Sequence, residues 1–380
     1  MPITIGNTNV RSSANITLGA SGFSAANLTS TSLNMLPGFG INAYNFNDGA
    51  LGGYRNKIIN GKMEIAQRGT SSTSDYAIDR WYFSRNNAGA GTVSQLTDVP
   101  TTNEFQNSLG LLVNTADTSV GSTDYAGIAY AIEGFDVRDL VGKTFTLSFW
   151  VKSSKTGNYN VSFRNVAGNR TYLGTYLVSV ANTWQQRTIT VQGGLPTDGT
   201  WDYGISIGLL LFFTLMVGAT YQSLTFGSWQ AGNFLGSTTH LNFFDAVNND
   251  FRLTGVQLEL GDRRTSFEHR PIGLEFRLCQ RYYQEVGTAA QNEFIYYQYN
   301  TSLNTYYVPY SLPVPMRGSP VAGLPGTWNF ANLAAQPNGF SVSASYQAFR
   351  INVTPSAAGN IMLAQNSGAG SRISFNSELL

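Results

Sequence analysis

Apolar and polar residues alternate along most of this chain. In Phe145 to Lys152, Phe145, Leu147, Phe149 and Val151 fall on one side and Thr146, Ser148, Trp150 and Lys152 on the other. That is the period of a strand with one buried face. Tyr159-Val161-Phe163 and Ile189-Val191 repeat it, separated by turn-forming clusters at Lys155-Thr156-Gly157-Asn158, Gly168-Asn169 and Gly193-Gly194. Strands at this spacing, with no helical period between them, predict a sandwich or barrel. No fixed-length repeat is visible, which argues against a propeller or a repeating β-helix.

Two stretches break the simple pattern. From Gly204 to Gly218, Ile205, Ile207, Leu209, Leu211, Phe213, Leu215 and Val217 share one face of a core strand. The run is too short for a membrane helix, which needs about 20 apolar residues, and too long for an unbroken strand, so a bend is expected inside it. From Phe251 to Leu260, Phe251 and Leu253 alternate on one parity and Val256, Leu258 and Leu260 on the other. The phase flips at Thr254-Gly255, where a bulge would turn both sets into one core. After Pro271 the period changes. Leu274, Leu278 and Tyr282, with Cys279 and Val286 on the same side, predict a short helix.

Beyond it, Phe294 to Tyr310 reads as a hairpin turning between Asn300 and Asn304, followed by a Pro-rich piece and short strands. The expected fold is all-β: an extended N-terminal arm (1–54), a jelly-roll β-sandwich (55–270), a bridging helix (271–287) and a smaller C-terminal β-sandwich domain (288–380). The arm's charged residues are Arg11 and Asp48, and it shows no heptads and no sustained period. We expect it to order against other subunits. It also lacks the basic and apolar regions of a signal peptide.

Charge narrows the class. Lys and Arg number 23 against 22 Asp and Glu, for a net charge of +1, which argues against a duplex nucleic-acid binder. Charged residues make up only 12% of the chain and aromatics 13%, with 40 Gly, a balance suited to large protein-facing surfaces in an assembly. Cys279 is the single cysteine, so no disulfide forms within the chain.

Candidate chemistry is thin. Gly204-Ile205-Ser206-Ile207-Gly208 has the G-x-S-x-G spacing of a nucleophile elbow, but it opens a β run where a helix is required. Gly142-Lys143-Thr144 resembles the end of a phosphate loop, yet Val137 stands where the first glycine belongs. His240 and His269 read as surface or hydrogen-bonding residues, and two His with one Cys do not make a usual zinc set. Glu133, Asp136 and Asp139 form one acidic cluster, and Asp245, Asp250, Glu259 and Asp262 a second. Paired carboxylates suit glycoside hydrolysis, and the second cluster suits a structural Ca²⁺; surface turns give the same pattern. No catalytic residue and no cofactor is assigned. Tyr297, Tyr299, Tyr306 and Tyr307 crowd one predicted hairpin and are the candidate carbohydrate contacts, since tyrosine offers a flat apolar ring with a polar tip. Arg263, Arg264, Glu268, Arg270, Glu275 and Arg281 are expected to form ion pairs at the domain junction.

The stretch Asn56 to Thr70 (NKIINGKMEIAQRGT), followed by Ile78-Asp79-Arg80-Trp81, resembles the opening of a bacteriophage tail-fibre or minor virion protein family. Phe145 to Lys152 and Trp184 to Val191 are similar to its carbohydrate-binding-module-like jelly roll. Leu253 to Tyr283, Val314-Pro315-Met316-Arg317 and Ile373 to Leu379 resemble its later motifs, so the resemblance covers about residues 56 to 380. It implies a virion-associated β-sandwich protein of the tail or its fibres and carries over no sugar site. We expect, beyond the resemblance, that the arm docks on other virion proteins and that the chain self-associates as a homo-oligomer, most simply a trimer, and touches host glycan. It carries over no catalytic residue, and from the charge balance and the short apolar run we expect no nucleic-acid partner and no membrane insertion. A capsid-decorating, collar or adaptor protein is the alternative.

Overall fold

The structure is a computed structural model that describes residues 45–46, 49–50, 54–73, 75–286, 294–300, 306–323, 328–331, 340–345, 347–354, 356, 359–365 and 372–380. The N-terminal arm expected over 1–54 therefore lies almost wholly outside the described residues. Two antiparallel sheets face each other. Their strands are β1 (Ser71–Ser72), β2 (Asp75–Ile78), β3 (Trp81–Asn86), β4 (Ala90–Leu96), β5 (Ser108–Thr115) and β6 (Tyr125–Glu133). There follow β7 (Phe145–Ser153), β8 (Gly157–Arg164), β9 (Thr171–Val178), β10 (Gln185–Val191), β11 (Ile207–Val217), β12 (Trp229–Gln230) and β13 (Asp250–Leu260). One sheet has the order β12-β9-β8-β11-β6-β3-β2 and the other β10-β7-β13-β5-β4-β1. The fold class is all-β, as the alternation predicts.

Alternation puts one side of each strand into a single core. Phe145, Leu147, Phe149 and Val151 from β7 meet Tyr159, Val161 and Phe163 from β8 and Leu209, Leu211, Phe213 and Leu215 from β11, all fully buried. Each such side chain contributes roughly 1.5–3 kcal/mol by leaving water. The expected break in β11 is present: its pairing with β6 shifts between Ile207 and Leu209 and again between Thr214 and Met216. The second shift sends Met216 into the core beside Leu215 and turns Val217 outward.

The bulge in β13 is also where the phase flip places it. Pairing with β7 slips between Thr254 and Gln257, Gly255 has φ +60°, and Leu253 and Val256 both enter the core. β13 pairs β5 only over Asp250–Leu253. Its remaining edge is occupied by the 56–61 stretch: Lys57 N donates to Leu258 O (2.8 Å), Val256 N to Gly61 O (3.0 Å), Asn56 Nδ2 to Val256 O (3.1 Å), and Leu258 N to Asn56 Oδ1 (3.0 Å). A Cβ on Gly61 would lie 2.2 Å from Val256 O, so only glycine admits this approach. The asparagine and glycine of the NKIING motif thus close an exposed sheet edge.

The predicted helix is shorter than expected. It runs Ile272–Gln280, with Cys279 buried, and the chain re-enters β structure at Tyr283–Val286. That strand pairs with Ile373–Asn376, which in turn pairs with Val321–Gly323. Two further three-stranded sheets complete the C-terminal part. The predicted hairpin over Phe294 to Tyr310 is a correction: Phe294–Asn300 pairs with Gly359–Gln365, and Tyr306–Ser311 with Ala348–Val353, so the two strands belong to separate sheets. Aromatic alternation sets strand character, and it leaves the choice of partner to the longer-range packing. Among the described residues no helix is long and apolar enough to cross a membrane.

Candidate functional site

The sandwich joins the C-terminal sheets through a buried polar network. Arg80 is 1% exposed, pairs with Glu378, and lies over the Tyr282 ring at 3.5 Å. Arg68 reaches Glu378 (3.3 Å) and stacks on Tyr283 at 3.6 Å. Arg281 forms a two-pronged pair with Glu133 (2.6 and 3.0 Å), which also accepts from Tyr282 Oη (2.9 Å). Arg270 pairs with Glu275 (3.3 Å) and donates to Ile58 O (3.1 Å). Arg270, Glu268, Glu275 and Arg281 are junction ion pairs as expected. Arg263 is not: it pairs with Asp262 at the surface, and Arg264 is exposed too. Their run of charge belongs to a solvated turn.

The structure places most of the sequence's catalytic candidates in ion pairs, turns and packed positions. Glu133 is held by Arg281, and Asp139 by Lys57 at 2.7 Å. Asp245 binds Lys155, Asp250 binds Arg252, Glu259 accepts from Thr265 (2.6 Å), and Asp262 binds Arg263, so the second acidic cluster is distributed over separate partners. Gly204–Gly208 leads into a strand, not a helix. His240 packs edge-on to Tyr159 (6.0 Å), and burial pulls its pKa down to about 4, so the ring is neutral near pH 7. His269 lies against Phe267 (5.3 Å) and Phe105 (6.4 Å). Tyr297, Tyr299, Tyr306 and Tyr307 sit on the strands Phe294–Asn300 and Tyr306–Ser311, and their side chains lie outside the described residues.

A different aromatic surface is fully described. On the outer face of the seven-stranded sheet, the register runs Tyr76, Tyr82, Ala129, Phe212, Ser162 across five neighbouring strands. Tyr76 and Tyr82 meet edge to face at 5.1 Å. Phe212 leans over Gly127, where a Cβ would come within 2.7 Å of its ring. Tyr125 contacts Phe212 (6.0 Å) and Tyr221 (5.6 Å), both edge to face. Small residues on β6 make the floor, and rings rise on either side.

The segment after β12 folds back over one half of this face. Ser162 Oγ donates to Phe234 O (2.7 Å), Ser237 N donates to Asn160 Oδ1 (2.9 Å), and Thr214 Oγ1 donates to Leu235 O. Tyr82, Tyr125 and Tyr221 remain half-buried beside it. A cleft of about 390 Å³ adjoins Tyr82, lined by Asp75, Phe83, Arg85, Asn86 and Asn87. Burial first, then Asp75, raises the Tyr82 phenol pKa. Arg164 closes the covered end, with Nη1 donating to Asn233 Oδ1 (2.8 Å). Burial lowers its guanidinium pKa, partly offset by Tyr125 and Tyr221. Flat half-exposed rings with polar groups around them match the two-sided chemistry of a sugar ring, apolar on its C–H face and hydroxylated at its rim.

Sequence reasoning passed over these residues because they come from five strands and a loop. The available signal was in β11, where Leu210 and Phe212 make the second face apolar as well.

No protein-family model and no curated protein sequence matches the chain. Among solved structures it is similar to the enzymatically active domain of bacteriophage CBA120 tailspike protein 4, at 17% identity over 54% of this chain and 21% of that one, with a TM-score of 0.31. The chain thus spans about a fifth of that tailspike chain. It is also similar to the module TmCBM61 in complex with beta-1,4-galactotriose, at 10% identity over 55% of this chain and 99% of that one, TM-score 0.29. A family 11 carbohydrate-binding module from Clostridium thermocellum aligns at 13% identity over 53% and 97%, TM-score 0.27.

Proposed function

We propose that this chain is a glycan-contacting structural protein of a phage virion appendage. The observation that carries the glycan part is the set of half-buried rings on the outer face, Tyr82, Tyr125 and Tyr221, grouped around the buried Phe212 over a floor of Gly127 and Ala129. The virion part rests on the resemblance of residues 56 to 380 to a phage tail-fibre or minor virion protein family. In this reading the N-terminal arm docks on other virion proteins, the chain binds without catalysis, and a homotrimer presents several weak sugar sites at once. Linking such sites raises avidity by roughly 10²–10⁴ without any new contact.

The test is adsorption of the fluorescently labelled full-length protein to bacterial cells before and after periodate oxidation of their surface sugars. Tyr125→Ala with Tyr221→Ala should cut adsorption at least tenfold while leaving the unfolding temperature within a few degrees, and oxidation should remove adsorption by the unaltered protein. Adsorption that survives both treatments overturns the glycan reading. Immunogold labelling of virions tests the location: label at the distal tail supports an adhesive appendage, and label confined to capsid or collar replaces it with a purely structural decorating or adaptor role.

A further inference from the structure

Among the described residues, the buried and half-buried arginines follow a rule, and one breaks it. Each deeply buried guanidinium has a carboxylate: Arg80 has Glu378, Arg270 has Glu275 and Glu268, and the largely buried Arg68 has Glu378 and Asp79. Half-buried arginines without one donate to main-chain carbonyls, Arg187 to Leu177 O and Arg317 to Ser377 O, as the exposed Arg85 and Arg138 do to Gly89 O and Tyr203 O. Arg164 does neither. Among the described residues its hydrogen-bond partner is the Asn233 side-chain oxygen, and its Nε is buried without a partner. An unpartnered Nε is shared with Arg80 and Arg270, so the missing counter-charge is what sets Arg164 apart. The ionisable groups that act on its charge are two phenols, Tyr125 and Tyr221.

Arg164 is half-buried with its Nε out of water, and holding a partly desolvated cation without an opposite charge is costly, so such a group favours an incoming anion. Its position supplies the occupant. Arg164 lies two residues along β8 from Ser162, which stands opposite Phe212 in the aromatic row. Asp75 sits beside Tyr82 on β2, four strands from β8 in the sheet order, so its carboxylate does not offset the cation. We propose that the ligand of this face is an anionic glycan, whose acidic substituent seats on the Arg164 guanidinium while its sugar rings lie against the half-buried Tyr125 and Tyr221. The proposal rests on the glycan reading of the same face and names the class of sugar it takes. The planar fork of the guanidinium pairs with a carboxylate or with a phosphate or sulfate ester.

The experiment is binding of the full-length protein to an immobilised panel of purified bacterial surface polysaccharides, half neutral and half acidic. Binding should concentrate on acidic members and weaken as salt rises. Arg164→Gln should lose about tenfold or more of it, and Arg164→Lys should keep a larger part, with thermal unfolding checked for each. Carbodiimide reduction of the carboxyl groups on a bound polysaccharide separates the sources: lost binding identifies a uronate or similar acid, and retained binding identifies a phosphate or sulfate ester. Binding by neutral members as strong as by acidic ones, or unchanged in a folded Arg164→Gln variant, overturns the anionic assignment and leaves the glycan reading standing. Absence of binding across the whole panel overturns both.

Discussion

At the scale of single residues, two buried groups set opposing pH dependences. Burial pushes the Asp79 carboxyl from 3.8 up to about 6, with Arg68 and the Gln67 hydrogen bonds pulling the other way. A raised carboxyl means the folded chain holds this proton more tightly than the unfolded one. Its contribution is complete below about pH 3.8 and is lost as pH rises through about 6. His240 is the reverse: lowered from 6.5 to about 4, it contributes above about pH 6.5 and fails as pH falls through about 4. Across pH 4 to 6 the two slopes oppose, each at most about 1.4 kcal/mol per pH unit. Asp79→Asn should therefore make stability fall more steeply with acid than in the unaltered protein, and His240→Phe should make it fall more steeply as pH rises. Urea midpoints at half-unit steps read both. Parallel profiles for all three proteins would show that neither group titrates differently on folding.

At the scale of elements, Gly255 offers a controlled comparison with Gly142. Both have positive φ, +60° and +67°, but a Cβ at Gly255 would lie 2.6 Å from the Phe105 ring, whereas one at Gly142 meets nothing within 4 Å. Gly142→Ala should cost only the conformational penalty, about 1–2 kcal/mol. Gly255→Ala should cost that plus roughly 1–3 kcal/mol of overpacking against Phe105 and Trp150. Equal losses in chemical denaturation would mean that the bulge tolerates the methyl group. This bulge, the break in β11 and the alternating core were legible in the sequence because each is a local pattern. The helix end was less so: Tyr282 keeps the helical period, but Tyr283 is captured by Asn376 from the far end of the chain. The aromatic row on the outer face was not legible, since Tyr82, Ala129 and Phe212 become neighbours only through strand register. The tyrosine-rich run from Phe294 drew attention by local density, which carries no information about partners.

At the scale of the whole molecule, the beginning and end of the sandwich-to-C-terminus body are fastened together. The 56–61 stretch closes the edge of β13, and Glu378, two residues from the end, supplies the counter-charge for Arg80 and Arg68. Glu378 has a side chain 2% exposed, and Arg80 one 1% exposed. Removing the charge with Glu378→Gln strands a buried guanidinium, which costs about 3–5 kcal/mol. Replacing both, as Arg80→Leu with Glu378→Leu, removes the need for compensation and should cost less than the sum of the single changes. Thermal unfolding measures the losses, and limited proteolysis reads where they fall: the single variant should expose the chain near Tyr283 to cleavage and release the C-terminal part before the sandwich itself is cut. A Glu378→Gln protein as stable and as resistant as the original would mean that Arg80 draws its compensation from Ala131 O and the Tyr282 ring instead. In that case the C-terminal residues would be packing on the sandwich without locking it, and the resemblance motif at Ile373 to Leu379 would owe its pattern to Phe375 and the strand pairing alone.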